Sequence, residues 1–258
     1  MKGPEMMSNM KMRRNIFLAV AAVFLSVAVF AGCGKKDVDP ENKPESSEDK
    51  PEKTEEAEAK DSRKDKRTES VRTDAENPFA GTGNARLIEL WRKATEENDA
   101  DAQIDLGVCY QYGDGVERNM AESAEWFRKA AENGHAIAQI ILAQNYATGT
   151  GVDQDMTEAA RWYREAAEQG LARAQFTLGQ YYFEGTGVEQ DHKEAVKWWL
   201  MAAEQDYSEA QFNLGGCYFE GIGVERDKAE AEKWFRLAAE NGEEDALEAL
   251  EMLAHEEE

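Results

Sequence analysis

The chain is predicted to be all-α, an α/α solenoid of about four stacked helix-turn-helix repeats, each 36 residues long. Three observations predict it. Tryptophan recurs at one interval, as Trp126, Trp162, Trp198 and Trp234. A Gly-x-Gly-Val signal keeps the same interval, with Gly113, Gly149, Gly185 and Gly221 opening it and Val116, Val152, Val188 and Val224 closing it. A helix-start pattern repeats in step: Asn119 with Glu122, Asp155 with Glu158, Asp191 with Glu194, Asp227 with Glu230. A fixed period in this range marks units that each form one supersecondary element and bury their apolar faces only on one another.

The elements follow in order. Residues 1–15 are polar, with Lys11, Arg13 and Arg14 ahead of an apolar run at 16–32 that contains one polar residue, Ser26. A basic n-region, an apolar h-region and small residues before Cys33 describe a secretory signal. The sequence Phe30-Ala31-Gly32-Cys33 resembles the lipobox of bacterial lipoproteins. That resemblance implies a signal peptide at 1–32, lipidation of Cys33 and a membrane anchor on the envelope side. An uncleaved N-terminal membrane helix is the alternative, because the run is near the lower length for crossing hydrocarbon. Residues 33–76 carry the lipidated cysteine and then a stretch dense in Lys, Glu, Asp, Ser and Pro. Such a composition cannot bury enough surface to offset chain entropy, so a disordered tether is expected. Ser47-Glu48-Asp49-Lys50 fits the serine–lysine pattern of penicillin-recognising enzymes, but without companion motifs it reads as a chance match.

Residues 77–101 read as a partial repeat. A worn second helix runs over 85–97, and its Trp91 stands one residue out of phase with the later tryptophans. The four full units occupy 102–245. In each first helix an alanine, a leucine and a tyrosine line one face, as Ala174, Leu178 and Tyr182 do in the third unit. A small residue follows each leucine (Gly107, Ala143, Gly179, Gly215), which implies a close neighbouring helix. The first glycine of Gly-x-Gly-Val ends the helix in a left-handed conformation. The second helix opens on a capping box, in which the first side chain accepts from the opening N–H groups and the glutamate reaches back. It stops near Gly134, Gly170, Asp206 or Gly242; aspartate tolerates the left-handed geometry better than most residues. The period-36 tryptophans are assigned to the core, whereas Trp199 is unrepeated and free to be exposed. Residues 246–258 form a C-terminal cap helix and acidic tail.

These residues together (A-x3-L-G-x2-Y, G-x-G-V, D-x-x-E-A-x3-W, A-A-E-x-G) resemble the Sel-one-like repeat (SLR) family, relatives of the tetratricopeptide repeat. The resemblance implies a right-handed superhelix and a role as a protein-binding adaptor or scaffold. It also implies that the first helix of each unit lines a concave face. Positions there that do not repeat are the binding candidates: Asp105, Val108, Cys109 and Tyr112; Ile141, Gln144, Asn145 and Thr148; Thr177, Gln180, Tyr181 and Glu184; Asn213, Gly216, Cys217 and Glu220. Amide, hydroxyl and aromatic groups in that mixture suit an extended peptide.

Charge narrows the partner. The chain carries a net −23, and residues 77–258 hold 15 Lys/Arg against 37 Asp/Glu. Phosphate backbones are bound mainly by Lys and Arg, so nucleic acid is excluded and a basic protein or peptide fits better. Cys109 and Cys217 lie three periods apart, too far for a disulfide. The chain thus departs from a cysteine-rich branch of the family, in which paired cysteines staple each repeat and penicillin binding or hydrolysis has been attributed. His135, His192 and His255 lack partners at zinc spacing, and no nucleophile–base pair or phosphate loop is evident. No cofactor, metal or catalytic residue is expected. Two rivals remain: a cell-wall or β-lactam-active enzyme, and a passive structural envelope protein.

Overall fold

The computed structural model describes residues 77–255. The apolar run, Cys33, the charged tether and the Ser47 match lie outside the described residues. Within them the chain forms ten helices and no strand. Helix α1 (Ala85–Glu96) precedes four units, α2/α3 (Ala100–Tyr112, Met120–Glu132), α4/α5 (Ala136–Thr148, Met156–Glu168), α6/α7 (Ala172–Glu184, His192–Ala203) and α8/α9 (Ser208–Glu220, Lys228–Glu240). Helix α10 (Asp245–His255) closes the series. Each helix packs on the next, most extensively within a unit. The body is therefore the expected all-α stack, and each first helix opens two residues before its first repeating alanine.

The stops form as the residues dictate. Gly113, Gly149, Gly185 and Gly221 adopt φ between 71° and 77°, and each N–H returns to the carbonyl four residues back. Asp206 takes φ 61° where its counterparts are glycine. The starts form only half of the expected box. Asn119, Asp155, Asp191 and Asp227 each accept from two opening N–H groups. Their own N–H groups, however, donate to Tyr110, Tyr146, Tyr182 and Tyr218 at 2.9 Å. That carbonyl, from the preceding helix, takes the donor the glutamate would have reached for. Glu158, Glu194 and Glu230 pair instead with Arg161, Lys197 and Lys233.

The core corrects two readings of the tryptophans. Trp199 is fully buried, not exposed, and its indole N–H donates to the Phe176 carbonyl at 3.1 Å. It belongs to a second aromatic column at the same period: Trp91, Phe127, Tyr163, Trp199, Phe235, all buried. Trp91 is in phase with that column, so it was never a displaced copy of Trp126. The small residues after the leucines make room for these rings. A Cβ on Gly107 would lie 2.8 Å from Phe127 Cε1, and one on Gly215 would lie 2.5 Å from Phe235 Cδ1. Trp126, Trp162 and Trp234 are also buried, while Trp198 is half-buried. Lys129, Arg161 and Lys233 lie over the rings of the first three at 3.7, 4.1 and 5.1 Å.

An amide ladder joins the units. Gln103, Gln139, Gln175 and Gln211 are buried on the first helices. Each donates to the end of the preceding helix, at Ala94, Ala131, Ala167 or Ala203. Each also accepts from a side chain just past its own unit's second helix: Asn133, Gln169, Gln205 or Asn241, at 2.8 to 2.9 Å. A buried amide is retained only when both ends are satisfied. Here both ends tie one helix to two others.

Candidate protein-binding face

The candidates fall on one face of the first helices, in two rows. The outer row runs through Asp105, Val108 and Tyr112, then Ile141, Gln144 and Thr148, then Thr177, Gln180 and Glu184, and last Asn213, Gly216 and Glu220. The first unit's members are exposed, Tyr112 by 73%. Those of the middle units are half-buried, except Thr148 and Glu184, which are exposed. In the fourth unit Asn213 is 3% exposed, Gly216 is buried and Glu220 is half-buried. Burial thus deepens from the first unit to the fourth.

The inner row is Cys109, Asn145, Tyr181 and Cys217, and it turns into the stack. Cys109 shares a core with Trp91, and Cys217 shares one with Trp199. Tyr181 meets the Tyr163 ring edge-on, with centroids 5.4 Å apart. Both cysteines are free and buried. At three of its four positions the row thus meets the aromatic column of the preceding unit, which varies too.

Electrostatics mark the middle of the face. Burial, and then Glu184, push the Tyr181 phenol up to about 12. The Tyr163 phenol is raised by burial and by Tyr181, against a hydrogen bond from Gln144 and the charge of Arg173. Tyr207 is raised by burial and by Glu209, again opposed by Arg173. These tyrosines are therefore neutral hydrogen-bonding groups at physiological pH. Arg173 is the one cation in the four first helices, against five carboxylates: Asp101, Asp105, Glu184, Glu209 and Glu220. The second helices, of nearly equal length, carry nine cations and ten carboxylates. Among the described residues no group of His, Cys, Asp and Glu is placed to hold a metal ion, and no helix is long and apolar enough to cross a membrane.

The Sel1 repeat profile matches residues 100–135, 136–171, 172–207 and 208–243, more than half of the chain and unit for unit with the helix pairs. The chain belongs to the Sel1-repeat family. Its solved structural neighbours include a protective antigen of uropathogenic Escherichia coli strains that displays an SLR fold. That antigen is 44% identical over 60% of this chain and 33% of its own, with a TM-score of 0.56. A Sel1 repeat protein from Oxalobacter formigenes is 36% identical over 64% of this chain and 68% of its own, with a TM-score of 0.60. The chain spans about a third of the length of the E. coli relative. No curated protein matches it. Sel1-repeat proteins are typically non-enzymatic helical scaffolds that mediate protein–protein interaction.

Proposed function

We propose that this Sel1-repeat chain is a membrane-tethered adaptor that binds a protein or peptide, basic in character, on the face of its first helices. The observation that carries the reading is the charge contrast between the two helix sets. The second helices alternate both signs densely, as a solvated surface does. The first helices carry one cation and five carboxylates, set among amides, hydroxyls and tyrosines. Depletion of charge with enrichment of tyrosine is the compositional mark of an interface core, and the residual negative charge selects a positive partner. The apolar run at 16–32 and Cys33 supply the anchor, and two or more acyl chains hold a protein stably where one does not.

A photocrosslinking amino acid at Gln180, on the outer row, introduced in cells, tests the binding. One discrete adduct is expected; a featureless smear, or none, overturns the reading. Cys33→Ser should move the protein from the membrane to the soluble fraction. Retention at the membrane instead favours an uncleaved helix. A nitrocefin assay on the full chain addresses the enzymatic rival: turnover that survives repurification would replace the adaptor reading.

A further inference from the structure

Six side chains among the described residues bury a polar atom that has no partner. Four are the period-36 tryptophans, and they recur with the stack. The other two, Asn213 and Glu220, break the period. Both lie on the outer row of α8, two turns apart, and both are candidates on the same face. The repeat does not fix either residue. Ile141 fills the place of Asn213 in the second unit, and Tyr112 fills that of Glu220 in the first. Yet the Asn213 amide nitrogen is buried without an acceptor, and the Glu220 Oε1 is buried without a donor. An orphaned buried donor or acceptor is costly, and more so when charged. The two orphans are opposite in kind. One asks for a carbonyl and the other for a cation. Glu184 places another carboxylate at the equivalent end of α6, while Arg173 stands at that helix's opposite end, about 17 Å away by helical rise.

We propose that the fourth unit's face is a subsite for a lysine or arginine side chain of an extended peptide, with Glu220 taking the cation and the Asn213 amide donating to a main-chain carbonyl beside it. The proposal rests on the adaptor reading and narrows it to a segment with a basic residue at that register. A carboxylate with one unfilled acceptor selects the cation, and the amide two turns back fixes the backbone that presents it.

The probe is N-acetyl-arginine N-methylamide, with the neutral citrulline analogue as control, titrated into the detergent-solubilised full chain. The Asn213 side-chain amide signals are followed by NMR. The expected result is a saturable shift with the arginine compound and none with the citrulline compound. Glu220→Gln, which keeps shape and removes charge, should weaken binding by at least about tenfold while leaving the circular dichroism and melting temperature unchanged. No saturable shift, an equal response to citrulline, or full affinity in Glu220→Gln overturns the subsite. A Gln180 adduct in cells without arginine binding removes the subsite and leaves the adaptor. Glu220-dependent arginine binding without an adduct does the reverse.

Discussion

Gly179 has no room for a methyl group. A Cβ there would lie 2.5 Å from Trp199 Cδ1 and 3.1 Å from the Ala195 carbonyl oxygen. The indole cannot retreat freely, because its N–H is held by the Phe176 carbonyl. Gly179→Ala should therefore cost roughly 1–3 kcal/mol in urea unfolding, the range for overpacking. Adding Trp199→Tyr should recover much of that loss, since the second unit already pairs Ala143 with Tyr163 at these positions. Gly187 is constrained twice. It holds φ +67°, and a Cβ would land on the Met156 carbonyl, whereas one on Gly185, at φ +75°, would meet Gln190 alone, with Cβ at 3.2 Å and the backbone nitrogen at 3.4 Å. Gly187→Ala should thus lose more stability than Gly185→Ala, whose cost is limited to the left-handed strain of about 1–2 kcal/mol. Cys217 gives a pH readout. Burial pushes its thiol up from the ordinary 9 to about 12. Below pH 9 folded and unfolded chains are both protonated there. As pH rises from 9 toward 12 only the unfolded chain ionises, so the thiol's contribution to stability declines over that window. At pH 8 a disulfide exchange reagent should label Cys217 only after denaturant is added.

At the scale of the element, the second helices and the ladder decide how units are joined. Gln175 donates to Ala167 and accepts from Gln205. Gln175→Leu keeps the bulk and removes both of these hydrogen bonds, each contributing about 0.5–1.5 kcal/mol net, while Ala167 still accepts from the Gly170 N–H and Gln205 still donates to Met201. The expected loss is about 1–3 kcal/mol, against under about 1 kcal/mol for Gln205→Ala on the exposed side; chemical denaturation of the two variants checks the order. The ladder shows where the chain's legibility ended. The helix pairs, their glycine stops and their caps were readable because each depends on residues within one turn. The Ala-Gln pairs at 102–103, 138–139, 174–175 and 210–211 recur just as strictly, but a glutamine reads as a solvated residue until both of its partners are in view. The second aromatic column was hidden for a related reason. Its members are Trp, Phe, Tyr, Trp and Phe, so counting tryptophans alone put Trp91 out of phase and made Trp199 look unrepeated. On the candidate face, periodicity identified which residues share a side. It carried no information on depth, which separates exposed Tyr112 from buried Asn213.

The whole molecule tests whether the units are interchangeable. In a stack where each unit touches only its neighbours, stability is a sum of unit and junction terms. Deleting 172–207 removes one unit and joins Leu171 to Ser208, a junction that keeps the helical register. The shortened chain should keep its helicity per residue by circular dichroism and unfold in one transition. Its urea slope should fall by about a quarter, because that slope follows the surface buried. Its stability should fall further than the loss of one unit implies. Helix α8 now follows α5, so Tyr163 meets Cys217 where it had met the Tyr181 ring, and the edge contact at 5.4 Å is lost. Cys217→Tyr in the shortened chain should restore part of that loss. The same change in the full chain should destabilise, because Cys217 shares its core with the larger Trp199. An opposite pair of signs would mean that the inner row does not track the aromatic column. Collapse of helicity on removing the unit would mean that the body folds as one indivisible core, and the adaptor face would then lose its modular basis.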